Sequence, residues 1–188
     1  SEYVYLEGYL VTSPTGRAAA VEARNIAEAQ GTKIALTFSD PNMVAYFRDG
    51  LSEMIGDGVD LLFCNEQEAL TWSGKKQVLD AANALKDIAK SFAITLGNEG
   101  ALIYDGNKLF RVDAVPASAV DTNGAGDIFA GAFLYGLTHD QDFQSAGKFA
   151  NQAASRLVSQ FGPRLEPEQY KELIENSLGT GSRTLVPE

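Results

Sequence analysis

Apolar and polar positions along the chain follow two alternating rhythms. The opening run Tyr3-Val4-Tyr5-Leu6-Glu7-Gly8-Tyr9-Leu10-Val11 is rich in aromatic and β-branched residues and predicts a strand. Ser13-Pro14-Thr15 then supplies an N-cap residue and a proline at the first helical position, so a helix is expected to Gln30, where Gly31 ends it. Lys33–Phe38 reads as a short buried strand. Asp40-Pro41 repeats the cap-plus-proline signal and opens a helix expected to reach Ile55. Val59–Cys64 is a third strand, followed by a short helix from Glu66, a longer one over Gln77–Lys90, and a fourth strand at Phe92–Leu96.

The rhythm then changes. Ala101–Tyr104 and Leu109–Val112 flank Asp105-Gly106-Asn107-Lys108, and Asp-Gly with Asn supplies the positive φ that a hairpin turn needs. From Asp127 the pattern is helical again to Leu137, then over Asp142–Ser159 and Pro167–Leu178. The polar tail, Gly179–Glu188, is expected to be mobile. Strands alternating with helices predict an α/β fold: a mostly parallel sheet covered on both faces, joined by right-handed crossovers, with the hairpin as an antiparallel edge. Ligands in such folds bind outside the carboxyl ends of the strands. Ser39-Asp40, Asn65–Glu68 and Gly97–Gly100 occupy that position.

Length and charge narrow the classes. The 188 residues suit one domain of ordinary size, able to bury about 70% of its unfolded surface without a disulfide or metal. Fifteen basic against twenty-five acidic residues leave a net charge of -10, which argues against a broad nucleic-acid or anionic-membrane surface. A local anion site built from backbone N–H groups stays open. The single cysteine, Cys64, excludes an internal disulfide and a Cys-rich zinc site. With no long apolar run and no signal-peptide pattern, the expected setting is a soluble cytoplasmic protein. A chain that opens at once on a strand, without Met, is also expected to lack preceding sequence.

Asp121-Thr122-Asn123-Gly124-Ala125-Gly126-Asp127 runs straight into the apolar helix Ile128–Leu134. Residues without bulk let successive N–H groups converge at a helix N-terminus, which favours an anion. Asp127 beside that anion is electrostatically awkward unless it serves as a base on a neighbouring hydroxyl, as in phosphoryl transfer. Taken alone, Gly-Ala-Gly-Asp is equally a capped helix after a turn. It is neither a Walker loop nor a dinucleotide Gly-x-Gly-x-x-Gly.

The whole heptad resembles the C-terminal signature of the ribokinase-like (PfkB) carbohydrate and nucleoside kinases. Asn65-Glu66-Gln67-Glu68 resembles that family's Asn-x-x-Glu motif, and Thr95-Leu96-Gly97-Asn98-Glu99-Gly100 its nucleotide loop. Asn151 matches an asparagine beside the adenine. The resemblance implies a three-layer α/β sandwich and an ATP- and magnesium-dependent phosphotransferase acting on a primary alcohol. Asp127 would be the catalytic base, and Gly124, Ala125 and Gly126 the anion hole. Thr95, Gly97, Gly100 and Asn151 would meet the nucleotide. Asn65 and Glu68 would position hydrated magnesium. Asp121, with the Asn123 carbonyl and the chain near Gln160–Gly162, would fall where many relatives bind potassium. The partner would be a small sugar or nucleoside, with a homodimer as an option for the intact protein. Ser39-Asp40-Pro41 and the Tyr-rich opening faintly resemble adenosine-kinase-like members. Residues 1–178 match only the C-terminal three-fifths of a family member, so the lid and acceptor site are expected to lie outside the chain.

Plainer readings accompany each match. Asn65 and Glu68 form an Asn version of the capping box. Gly97 and Gly100 suit ordinary turns, Asn151 a polar surface, and Asp40 an N-cap. His139 reads as a solvated loop residue and Cys64 as a buried thiol. Trp72, Phe129, Phe133 and Phe143 read as core. A non-catalytic nucleotide-binding module is the alternative function, and a Rossmann oxidoreductase is disfavoured.

Overall fold

The structure, a computed structural model, describes residues 1–178, so the tail Gly179–Glu188 lies outside the described residues. The chain divides into two compact units, Ser1–Asp113 and one from Ala114 onward.

The first unit is a six-stranded sheet in the sequential order β1-β2-β3-β4-β5-β6. Strands β1 (Tyr3–Glu7), β2 (Lys33–Thr37), β3 (Val59–Asn65) and β4 (Ala89–Thr95) run parallel, and β5 (Ala101–Tyr104) and β6 (Leu109–Val112) add the expected antiparallel hairpin. Helices α1 (Pro14–Gln30), α2 (Pro41–Tyr46), α3 (Arg48–Ile55), α4 (Glu66–Ser73) and α5 (Val78–Leu85) connect the parallel strands. One set of alternate strand positions, including Leu6, Leu36, Leu62, Phe92 and Ile94, joins Val44, Leu51, Met54 and Leu85 in the core. The other set, Ala35, Leu61 and Ala93, is fully buried too, as parallel strands require, and Ile103 on β5 continues it.

Local signals place α1 where the sequence predicts it. Ser13 Oγ accepts from the Gly16 N–H at 3.2 Å, and Gly31 closes the helix at φ +68°. Three expectations are corrected by contacts distant in sequence. The first strand ends at Glu7 rather than Val11, and Gly8–Thr12 coil into a 3-10 turn. Gly8 lies so close to β2 that a Cβ there would stand 2.5 Å from the Phe38 carbonyl oxygen. The helix expected from Pro41 to Ile55 breaks at Phe47. That break brings Gly50 against Val11, where a Cβ would collide with a Val11 methyl. The helix over Gln77–Lys90 is only Val78–Leu85, because Val59 takes the Ile88 carbonyl and β4 starts at Ala89.

The second unit holds α6 (Ala125–Thr138), α7 (Phe143–Val158) and α8 (Pro167–Leu178). Helix α6 begins two residues before Asp127. Gly136 lets it meet α7 closely, since a Cβ there would lie 3.0 Å from Ala146. Asp142 caps α7 through the Ser145 N–H at 2.7 Å. Ile128, Ala153, Leu157 and Leu165 form a small core. Among the described residues, no helix is long and apolar enough to cross a membrane.

Candidate functional site

In the first unit the carboxyl ends of β1, β2 and β3 gather three acids. Glu7 ends β1, and its carboxylate accepts from the Ser39 hydroxyl at 2.9 Å. Ser39 follows β2 in the left-handed region at φ +68°, uncommon for a residue with a side chain. Its N–H donates to Thr37 Oγ1 at 3.1 Å. Asp40 caps α2 by accepting from the Asn42 N–H at 2.7 Å.

Glu68 is buried at the head of α4. Its carboxylate accepts from the Asn65 N–H at 3.0 Å and from Asn65 Nδ2 at 2.7 Å, while Asn65 Oδ1 accepts from the Glu68 N–H at 2.8 Å. The capping box is complete. Burial pushes the Glu68 carboxyl up to about 7; the Asn65 N–H opposes the rise, and the negative charge of Asp40 adds to it. Neighbouring Cys64 is a buried thiol pushed well above its ordinary range, by burial first and by Glu68 second. Asn65 pairs in register with Thr95 on β4, and the chain then turns through Gly97 (φ +60°) and Gly100 (φ +90°). The Leu96 N–H closes this loop on the Gly100 carbonyl at 2.8 Å.

In the second unit the heptad forms the entry to α6. Gly124 is the N-cap at φ +78°, with no side-chain cap bond. Asp127 is therefore the third helical residue rather than the cap. It is exposed, and its carboxylate takes no hydrogen bond or ion pair among the described residues. The N–H of Ala125 donates to the Thr122 carbonyl at 3.2 Å. Asp121 accepts from the Asn123 N–H at 2.9 Å and from the Gly162 N–H at 3.1 Å, and these two bonds, in that order, hold its carboxyl below the ordinary range. A cleft of about 690 Å³ opens beside Asp127, between α6, α7 and α8.

The chain from residue 1 to 169 matches the model of the pfkB family carbohydrate kinases. It belongs to that family. An adenosine kinase of Schizophyllum commune is 29% identical over an alignment of 184 residues that covers 88% of this chain and 53% of that protein. The solved adenosine kinase of Sinorhizobium meliloti is 36% identical with a TM-score of 0.83, over 97% of this chain and 54% of that one. A protein designated Ribokinase II from E. coli, solved in complex with ATP and Mg2+, is 25% identical with a TM-score of 0.81, over 93% and 59% of the two chains. The chain thus spans about half the length of the curated relatives it matches.

Each unit of this pfkB-family chain gathers its own share of the residues singled out from sequence. Asn65, Glu68, Thr95, Gly97 and Gly100 lie along the strand ends of the first. Asp121, Gly124, Ala125, Gly126, Asp127 and Asn151 belong to the second. Asn151 is not on the surface but buried on α7, against the plain expectation. Trp72, Phe129 and Phe133 are buried, Phe143 is half-buried against Phe133, and His139 is exposed and stacked on Tyr135. Sequence reasoning placed Ser39-Asp40 at the strand ends but missed Glu7 and the left-handed conformation of Ser39. Their pairing joins residues 32 apart, so no local spacing carries it.

Proposed function

We propose that this chain carries the nucleotide and catalytic-base side of an ATP-dependent phosphotransferase acting on a primary alcohol of a sugar or nucleoside. The observation that carries the reading is Asp127: an exposed carboxylate, unpaired among the described residues, in the first turn of an apolar helix and spared from capping by Gly124. Such a group is ready to take a proton from an acceptor hydroxyl. As that hydroxyl oxygen bonds to the γ-phosphorus, its proton passes to Asp127 and the bond from phosphorus to the β–γ bridging oxygen breaks, leaving ADP.

The N–H groups of Gly124 and Gly126 stand where the phosphoryl oxygens gain charge. Ala125 contributes less, since its N–H is given to Thr122. Gly126 fits a cradle, because a Cβ there would meet nothing within 4 Å among the described residues. Thr95, Gly97, Gly100 and Asn151 would meet the nucleotide.

Among the described residues no three His, Cys, Asp or Glu side chains could together hold a metal ion. Asn65 and Glu68, joined in the capping box at the end of β3, would position hydrated magnesium carried in by the nucleotide. Magnesium, when bound, supplies positive charge to the transferring phosphoryl. The Ribokinase II structure with ATP and Mg2+ supports this pairing. Asp121 would serve a potassium ion: each of its oxygens receives one N–H and keeps acceptor capacity. A cytoplasmic setting fits these small-molecule substrates.

The test is calorimetry of the chain with ATP-magnesium, followed by acceptor-dependent ADP release over ribose, fructose, adenosine, inosine and guanosine. The chain is expected to bind ATP-magnesium weakly and, with the lid and acceptor site outside it, to release little ADP; in the intact protein the release should be robust and should fall steeply in Asp127→Asn. No nucleotide binding would overturn the reading.

A further inference from the structure

Arg164, in the turn between α7 and α8, lines the same cleft as Asp127. Each of the other described arginines meets a partner. Arg17, Arg24, Arg111 and Arg156 face carboxylates, and Arg48 lies over the Trp72 ring. The Arg164 guanidinium meets none among the described residues, although the chain carries twenty-five acids against fifteen bases. Nor do Asp127 and Arg164 pair with each other. A free carboxylate and a free guanidinium on one cleft leave room for a group between them.

The turn fixes the backbone of Arg164 and not its side chain. Gln160 Nε2 donates to the Arg164 carbonyl at 3.2 Å, and Gln169 Nε2 donates to Gln160 Oε1 at 2.9 Å. On one side of Arg164, Leu165 is buried in the small core. On the other, Pro163 presses on Gly124, its carbonyl oxygen 2.7 Å from where a Cβ would stand. One residue earlier, the Gly162 N–H is bonded to Asp121. Arg164 is thus anchored beside the entry of α6, with an exposed side chain.

We propose that Arg164 is a further catalytic residue, whose guanidinium binds the γ-phosphoryl oxygens from the cleft side of the anion hole. The assignment rests on the kinase reading above and supplies a charge that reading lacks. ATP carries more negative charge than one magnesium ion neutralises, and Asp127 adds to it. The N–H groups of Gly124 and Gly126 answer with partial charges only. As the bond to the β–γ bridging oxygen breaks, the transferring group and the departing ADP still share that charge. A cation already held in place stabilises it without reorganisation. Among the described residues that line the cleft, Arg164 is the only basic one. Its planar group is charged at every working pH and can meet two phosphoryl oxygens side by side. Direct pairing with Asp127 would serve poorly, since a neighbouring guanidinium lowers the affinity of a carboxylate for the proton it has to take.

The test is calorimetry of the 188-residue chain with ATP-magnesium and with ADP-magnesium, which differ by the γ-phosphoryl group. Arg164→Gln keeps a polar, exposed side chain and removes the charge. It should weaken ATP-magnesium binding by roughly tenfold or more and ADP-magnesium binding by less than about threefold, with the melting temperature unchanged. Arg164→Lys keeps the charge without the two-pronged geometry and should fall between the two. It decides the matter if Arg164→Gln does not fold by circular dichroism. Arg156→Gln removes a positive charge that already faces Glu172, and should leave the ratio of the two affinities unchanged. The proposal is overturned by equal losses for ATP and ADP, by no loss in the folded Arg164 variants, or by the same shift in Arg156→Gln. Failure of the unaltered chain to bind either nucleotide would overturn the kinase reading, and this assignment with it.

Discussion

Gly124 stands against Pro163 so closely that a Cβ on it would lie 2.7 Å from the Pro163 carbonyl oxygen and 3.1 Å from its Cα. Its φ of +78° adds a second reason for glycine. Gly124→Ala is therefore expected to cost about 1–3 kcal/mol and to shift the entry of α6. Gly126, two residues on, lies within the helix and has open space among the described residues. Gly126→Ala should leave stability unchanged or raise it by up to about 1 kcal/mol. If the N–H of Gly126 faces a phosphate, the same variant should weaken ATP-magnesium binding. Thermal melts paired with calorimetry separate the two glycines; equal effects of both substitutions on melting would contradict this account.

Asp127→Asn keeps the size of the side chain at the third position of α6 and removes its capacity to take a proton. Turnover with any accepted alcohol should fall by roughly 10²–10⁴, with nucleotide affinity nearly unchanged. Because Asp127 neither caps nor pairs among the described residues, the melting temperature should hardly move. A large loss of stability would instead mark it as structural.

How legible the chain is depends on the range of the forces involved. Ser13, Pro14 and Gly31 act within a few residues, and α1 has the boundaries they predict. The same holds for the Asp105–Lys108 turn, where Asp105 binds the Asn107 and Lys108 N–H groups, and for the Asn65–Glu68 box. The end of β1, the break at Phe47 and the burial of Asn151 depend on Phe38, Val11 and tertiary packing, which no local pattern encodes. The heptad gave the position of Asp127, but that Gly124 takes over the cap needed the backbone angles.

Ser39 holds a left-handed conformation without being glycine, and its hydroxyl is tied to Glu7. Ser39→Gly relieves the strain and loses that bond, so the two effects should nearly cancel, within about 1 kcal/mol. Ser39→Val keeps a side chain that is worse in this region and loses the bond as well, and should cost about 2 kcal/mol or more. A chemical-denaturation series on the two variants checks the order. Similar stability of the Gly and Val forms would mean that the left-handed angle imposes no strain.

Glu68 makes stability depend on pH in the direction opposite to a salt-bridged acid. Its carboxyl titrates near 7 when folded and near 4.5 in the unfolded chain. Between those values the folded state holds the extra proton, so stability falls as pH rises through that window. Below about pH 4.5 both states are protonated and the group makes no difference relative to a neutral side chain. By pH 8 the buried charge costs on the order of 2–3 kcal/mol. Glu68→Gln removes the titration. It also sets an amide NH2 against one of the two donors of Asn65, the N–H or Nδ2, at a cost of about 1 kcal/mol at every pH. The variant should thus be the less stable protein near pH 4.5 and the more stable one at pH 8, with the melting curves crossing between. A constant gap across that range would show that the Glu68 carboxyl ionises at its ordinary value. If Glu68 also orients hydrated magnesium, its charge is needed there, and the Gln form should require more magnesium for ATP binding even at pH 8, where it is the more stable of the two.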